Sequence, residues 1–227
     1  MVIFNTEYKS YYEWKPWSNT ILYCPLKDDI NDHSWNHTMA LNTTSFWTVE
    51  KDSTGFYHFT WWYISSESYT WPSKWTISVW VKRENKSTWI TTLQWWFGIQ
   101  QTWSSPFYNM AFEFNKSYYI TTWTGTAHFI DIWASTLNTW ELWTATFSSA
   151  TWWKMYKNWV LVDSFSDSNN LWSATGYSFI GGNAFNDLWV WSQYFKWYLS
   201  DAIIEDKART AQEIADYYNW TKWNYGL

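Results

Sequence analysis

Apolar and polar positions alternate in short runs along this chain, each run rich in Thr, Val, Ile, Tyr, Phe and Trp and bounded by clusters of Ser, Asn, Asp and Pro. A period of two residues is the signature of a strand with unlike faces. In Trp75–Lys82, Trp75, Ile77, Val79 and Val81 fall on one face and Thr76, Ser78, Trp80 and Lys82 on the other. That pattern predicts a strand with one side on a core and the other partly wet. The same reading predicts strands at Thr20–Pro25, Phe56–Thr60, Trp62–Ile64, Trp89–Leu93, Phe97–Gln101, Met110–Phe114 and Tyr118–Thr122. It continues at Ala127–Trp133, Glu141–Phe147, Thr151–Lys157, Val160–Ser164, Ser178–Gly182 and Tyr198–Ile204. Strands in this number predict an all-β, two-sheet antiparallel β-sandwich.

One segment has a helical period. Thr210-Ala211-Gln212-Glu213 is a capping box, and Ile214, Tyr217 and Tyr218 follow on one stripe, with Asn219 as the expected stop. No linker or low-complexity tract divides the 227 residues, so residues 20–227 read as one domain behind an N-terminal extension, residues 1–19.

Charge and composition narrow the partners. With 15 Lys+Arg against 20 Asp+Glu the net charge is −5, and no basic cluster offers itself to phosphates, so nucleic acid is not expected. No apolar run is long enough for a membrane helix, and Met1–Glu7 lacks the pattern of a signal peptide. Cys24 is the only cysteine, which excludes an internal disulfide and a cysteine metal site.

The glycine count does not fit the turns. The chain has 26 Trp and 7 Gly, where average usage would give about 16 glycines. Lys154–Val162 reads as two strands joined by Asn158-Trp159, and a two-residue type I′ turn takes φ > 0 at both central positions, hence Asn-Gly. Trp17, Trp35, Trp61, Trp62, Trp95, Trp96, Trp172 and Trp197 also stand where glycine would be ordinary. Restoring those nine would bring glycine close to the average. The pattern is what results when a UGA codon read as glycine by some bacteria and their phages is translated as tryptophan. The alternative is a Trp-rich protein whose aromatics line a sugar-binding surface.

Four stretches in order resemble a known family. Trp75–Lys82 is similar to its "fsisaWvk" strand, and Trp140–Thr146 with Lys154–Val162 to its "W-h-h-v-a … l-Y-v-N-G-v-l-v" hairpin. Phe179–Gly182, Phe195–Ile204 and Thr210–Tyr218 resemble "i-G-g … f-k-G-y-i-D-e-v-r-i … L-s-a-e-E-I-a-a-l-y". Leu22–Leu26 followed by Asp32-His33-Ser34-Trp35-Asn36 resembles its "l-P-l … D-s-s-G-n" opening. These are features of laminin-G-like, concanavalin A-like jelly-roll domains. The resemblance implies a jelly roll with one short C-terminal helix, most often a glycan- or protein-binding module, with a structural calcium in some members and glycan cleavage in others. It also implies Asp32, Asn36 and Asp201 as the calcium ligands, if calcium binds; otherwise these residues hold a turn and a strand end.

The residues themselves point away from catalysis. Glycoside cleavage needs two facing carboxylates, yet Glu50-Lys51-Asp52 lacks a third acid in the glucanase pattern, and Glu113, Asp131 and Glu141 fall on separate predicted strands. His33, His37, His58 and His128 form no zinc spacing on a helix, and Cys24 sits within an apolar strand as a packing residue. Aromatic faces stack on sugar rings, which makes Tyr108, Trp123, Trp133 and Tyr194, together with Trp103, candidate glycan platforms.

The expected function is therefore recognition or adhesion without catalysis, with a glycan or a surface protein as partner. The expected location is a virion (decoration, tail or fibre) or an extracellular surface. A glycan-active hydrolase and a self-assembling structural protein are the alternatives. In the last, Tyr8, Tyr11, Tyr12 and Trp14 of the extension would dock on a neighbouring subunit, making a homo-oligomer or a virion contact, or on the sandwich itself.

Overall fold

A computed structural model describes residues 19–26, 34, 39–41, 50–51, 53, 56–58, 64–66, 68–82, 94–101, 107–112, 117–121, 127–131, 136, 138–166, 175–180 and 198–227. The strands in chain order are β1 (Thr20–Cys24), β2 (Met39–Leu41), β3 (Glu50–Lys51), β4 (Tyr57–His58), β5 (Ile64–Ser66), β6 (Tyr69–Thr70), β7 (Trp75–Lys82) and β8 (Gln94–Gln101). They continue with β9 (Phe107–Phe112), β10 (Ser117–Thr121), β11 (Ala127–Asp131), β12 (Trp140–Ser148), β13 (Trp152–Lys157), β14 (Val160–Phe165), β15 (Thr175–Ile180) and β16 (Tyr198–Glu205). Helix α1 (Ala211–Thr221) runs into a 3-10 turn, Lys222–Tyr225.

All pairings are antiparallel. The first sheet runs β14-β13-β12-β7-β16-β4-β3 with β1 also on β16; the second runs β11-β10-β9-β8-β15-β5-β2 with β6 also on β15. The two-sheet sandwich expected from the sequence is the observed architecture. Strand β7 has the predicted ends, whereas Trp89–Leu93 lies outside the described residues and β8 begins at Gln94.

Alternation along β7 and β12 divides the interior into two cores. Trp75, Ile77, Val79 and Val81 join Trp143, Ala145 and Phe147 in a cluster that includes Tyr69, Trp71 and Ile180 and so lies between the sheets. The rings interlock there: Trp75 meets Phe147 at 5.9 Å and Trp153 edge-on at 4.8 Å. The opposite face of the first sheet carries Trp80, Leu142 and Ile203, which pack on Tyr217, Tyr218 and Tyr225 of the C-terminal helical segment. Trp80 is stacked between Tyr218 at 5.6 Å and Tyr225 at 4.2 Å. The expectation of a partly wet second face on β7 is thus corrected: Trp75 to Val81 are all buried. The cover comes from far along the chain. Thr76 Oγ1 donates to the Lys207 carbonyl and accepts from Arg209 N–H, while the Ser78 and Thr144 hydroxyls bond each other.

The capping box forms as read: Thr210 Oγ1 accepts from Glu213 N–H at 3.2 Å, and Glu213 Oε2 accepts from Thr210 N–H at 2.8 Å. Asn219 does not end the helix. It continues to Thr221, and the 3-10 turn ends at Gly226, whose φ of 73° suits a residue without Cβ. The extension swings Tyr225 under the sheet, where its hydroxyl donates to Asp201 Oδ2 at 2.7 Å.

Two hairpins bear on the glycine deficit. At the β13–β14 turn only Asn158 has φ > 0 (58°), not both central residues, so the type I′ expectation is corrected. Asn158 is held there by hydrogen bonds to Leu142 N–H and carbonyl, and the half-exposed Trp159 leans on Tyr218 at 4.6 Å. At the β12–β13 turn Thr151 N–H bonds the Ser148 carbonyl, and the next residue, Trp152, has φ 55°. That is the left-handed position which hairpins of this kind fill with glycine, and a bulky residue there is an outlier.

Candidate functional site

Of the acids weighed as catalytic, the described ones, Glu50, Asp131 and Glu141, are placed on separate strands, Glu50 on β3, Asp131 on β11 and Glu141 on β12. Glu141, on β12 of the first sheet, is 4% exposed and engaged by Lys157 Nζ at 2.8 Å and Thr136 N–H at 2.8 Å. Asp131 is on β11 in the second sheet, and Glu113 lies outside the described residues. Cys24 is buried in the core between the sheets, as its apolar strand implied. Among the described residues no cluster of three His, Cys, Asp or Glu side chains forms, and no helix is long and apolar enough to cross a membrane.

Of the three residues implied for calcium, Asp32 and Asn36 lie outside the described residues. Asp201 occupies a bulge of β16 at φ 45° and is 3% exposed. Its Oδ1 accepts from the Tyr23 hydroxyl at 3.0 Å and its Oδ2 from the Tyr225 hydroxyl, while its N–H donates to the Pro25 carbonyl. These bonds tie β1, β16 and the C-terminal turn together. Asp201 thus lies within β16, at its bulge, and does not cap a strand end as expected.

A second buried ionic site lies where β16 leads into α1. Glu205 and Arg209 form an ion pair with side chains 1% and 2% exposed, and the guanidinium lies over the Tyr217 ring at 4.9 Å. Burial pushes the Glu205 carboxyl up to about 7, against the pull of Arg209 and Lys207. Both ionic sites belong to the layer between the first sheet and the helix, and neither opens onto a ligand surface.

Among the described residues the exposed large apolar side chains are Trp152, Trp159, Val160, Leu161, Trp220 and Trp223, on β13, β14 and their turn and on the C-terminal helical segment; the outer side of the second sheet is the other candidate face, and its positions are placed by register. Strand β15 shows which residues belong to it: Gly176, Ser178 and Ile180 are buried toward the first sheet, while Thr175 is exposed. Residues of Thr175 parity, Tyr177 and Phe179, therefore fall on the outer face. Register carries the assignment across the sheet. Tyr177 is opposite Gln100, which is opposite Phe107. Phe179 is opposite Gly98, then Asn109, Thr121 and Ala127 in successive strands. Tyr119 is opposite Ala111 on one side and Phe129 on the other. The outer face is thus a field of aromatic, amide and hydroxyl-bearing positions.

Among the sequence-predicted platforms, Trp103, Trp123, Trp133 and Tyr194 lie outside the described residues. Tyr108 is opposite Ile99 and so in line with the buried Ser178, on the inner face. Tyr119, Tyr177, Gln100 and Asn109, which register places on the outer side, were not named by sequence reasoning. Their signal was the alternation within each strand, which names two faces without saying which is outside.

Comparison with solved structures finds the same fold at low identity. Domain 4 of an extracellular arabinanase from Geobacillus stearothermophilus, solved with arabinotriose, is similar at a TM-score of 0.63 and 15% identity, over 87% of this chain and 97% of that one. The ligand binding domain of botulinum neurotoxin serotype D, solved with N-acetylneuraminic acid, is similar at 0.64 and 14%, over 89% of this chain and 51% of that one. The binding domain of Paraclostridial Mosquitocidal Protein 1 is similar at 0.59 and 16%, over 89% and 52%. The chain thus spans about half the length of the two toxin domains. No curated protein sequence matches it. The family model for the concanavalin A-like lectin/glucanases superfamily matches residues 58–215, most of the chain, and the protein belongs to that superfamily.

Proposed function

We propose that this protein is a non-catalytic recognition module that binds glycans on the outer face of its second sheet. One observation carries the reading. The C-terminal helical segment covers Trp80, Leu142 and Ile203 on the outer side of the first sheet, and by register the outer side of the second sheet carries aromatic positions interleaved with Gln100, Asn109 and Thr121. Aromatic faces stack on the C–H faces of sugars while amides and hydroxyls exchange hydrogen bonds with sugar hydroxyls. Solved relatives of the fold hold arabinotriose and N-acetylneuraminic acid, which supports a sugar as the ligand here. In the proposed setting the module displays this face on a virion or at an extracellular surface. Its turns carry glycine, encoded by UGA, at positions such as Trp152, whose left-handed backbone supports that part of the proposal.

The test is a glycan array followed by product analysis of every bound sugar. Retention of sugar with no new reducing ends supports a binding module. Cleavage of a bound sugar establishes the hydrolase alternative, and failure to retain any sugar removes the proposal.

A further inference from the structure

Most of the exposed apolar side chains gather in one place. Trp159 of the β13–β14 turn leans on Tyr218 of α1 at 4.6 Å, and Lys222 Nζ lies over the Tyr218 ring at 5.7 Å and the Trp223 ring at 5.1 Å. These contacts join the turn and the C-terminal helical segment in one continuous surface. Val160 and Leu161 extend it along β14, and Trp220, three residues before Trp223, extends it along the helix. Trp159, Trp220 and Trp223 are 46%, 48% and 72% exposed, and Val160 and Leu161 are half-exposed. Trp152, whose left-handed backbone calls for glycine, stands at the other end of β13 and is no part of this surface; Trp159 has no such backbone. Among the described strands β14 pairs with β13 alone, so it ends the first sheet.

From this we infer that a second copy of this chain docks here, the β13–β14 turn, β14 and helical segment of each copy closing on those of the other about a two-fold axis. Area supports it. At about 250 Å² per tryptophan, the three indoles leave about 400 Å² open, the size of a contact surface rather than of scattered residues. With Val160 and Leu161 included, two such surfaces closed on each other bury about 1,100 Å², which clears the roughly 1,000 Å² of a specific interface. Chemistry selects a copy over a sugar. Val160 and Leu161 carry neither a ring face nor a hydrogen-bonding side chain, so a sugar leaves that part in water, whereas the same residues of a second copy cover it. An end strand also offers main-chain groups along its length, which suit another polypeptide. The Lys222 ammonium is held by Asn219 Oδ1 at 3.0 Å and by two rings, so docking strands no charge. Because a two-fold contact uses the same patch on both copies, assembly stops at the dimer. The inference is independent of the glycan-binding reading, which concerns the second sheet.

The experiment measures the mass of the full chain by light scattering from about 1 to 500 µM. The expected result is a reversible monomer–dimer equilibrium with Kd in the micromolar range, as an interface of this size gives. Leu161→Lys and Trp223→Gln, both at exposed positions, are each expected to raise that Kd at least about tenfold. Below the parent's Kd they should melt within a few degrees of it. Trp152→Gly, at the far turn, should dimerise like the parent. A parent that stays monomeric over the whole range overturns the inference, as does a Leu161→Lys or Trp223→Gln variant that dimerises undiminished. Growth into open-ended aggregates, loss of the dimer in Trp152→Gly, or glycine at position 223 in protein from its natural source overturns it as well. An oligosaccharide or a lipid vesicle that a monomeric parent binds and Trp223→Gln does not would assign the surface to that partner instead, and also overturns it.

Discussion

The Glu205–Arg209 pair offers a measurement in which burial and Coulomb attraction predict opposite slopes. Glu205 is 1% exposed, and its carboxyl is raised from 4.5 to about 7 because burial outweighs the adjacent Arg209 guanidinium. A folded-state value above the unfolded one means that the native protein holds this proton more tightly. The group's contribution is then fully present below pH 4.5 and is lost as pH rises through about 7. At 1.36 kcal/mol per unit, the loss over that window is about 3 kcal/mol. Other carboxylates titrate in the same range, so the comparison is with Glu205→Gln, which keeps the shape and removes the proton. Urea unfolding below pH 4.5 and above pH 7 is expected to show the parent losing about 3 kcal/mol relative to this variant. Removing the guanidinium with Arg209→Met should extend the slope further upward. Parallel curves, or a parent that gains on the variant as pH rises, would refute the reasoning and show Arg209 outweighing burial.

Three further outcomes follow from named contacts. Asp201→Ala removes the carboxylate acceptor of the buried Tyr23 and Tyr225 hydroxyls, of which Tyr225 keeps Ser200 Oγ, and places alanine at φ 45°, a loss of about 2–4 kcal/mol by denaturant titration; Asp201→Asn, which tolerates that backbone, should lose less. Thr210→Ala removes the cap of α1 and should cost about 1 kcal/mol, read as a melting point about 2–4 °C lower. In protein purified from its natural source, mass spectrometry of the peptide containing residue 152 should find glycine; tryptophan there would count directly against the recoding reading.

Local patterns in the sequence were readable wherever the structure is built locally. The alternation of Trp75–Lys82, the two hairpins of β12, β13 and β14 and the Thr210 capping box each depend on neighbouring residues, and each forms. Strands β2, β3 and β6 were not read, because two or three residues carry no period. The buried second face of β7 was also missed, since its cover, Lys207 to Tyr225, comes from the far end of the chain. The candidate site was the least legible part. Tyr108 and Tyr119 look alike in sequence, and only the pairing order β15-β8-β9-β10-β11, anchored by the buried Ile180, separates them to opposite faces.

Because the outer face of the second sheet is the heart of the account, the decisive measurement is sugar binding by a variant of that face. Calorimetric titration of Tyr119→Ala, Tyr177→Ala and their combination, using the oligosaccharide bound best by the parent, is expected to show affinity falling with each change. Each stacking loss should be about 1 kcal/mol, roughly fivefold, with the melting point within a few degrees of the parent. Undiminished binding by the folded double variant would contradict the account and place the ligand elsewhere on the molecule.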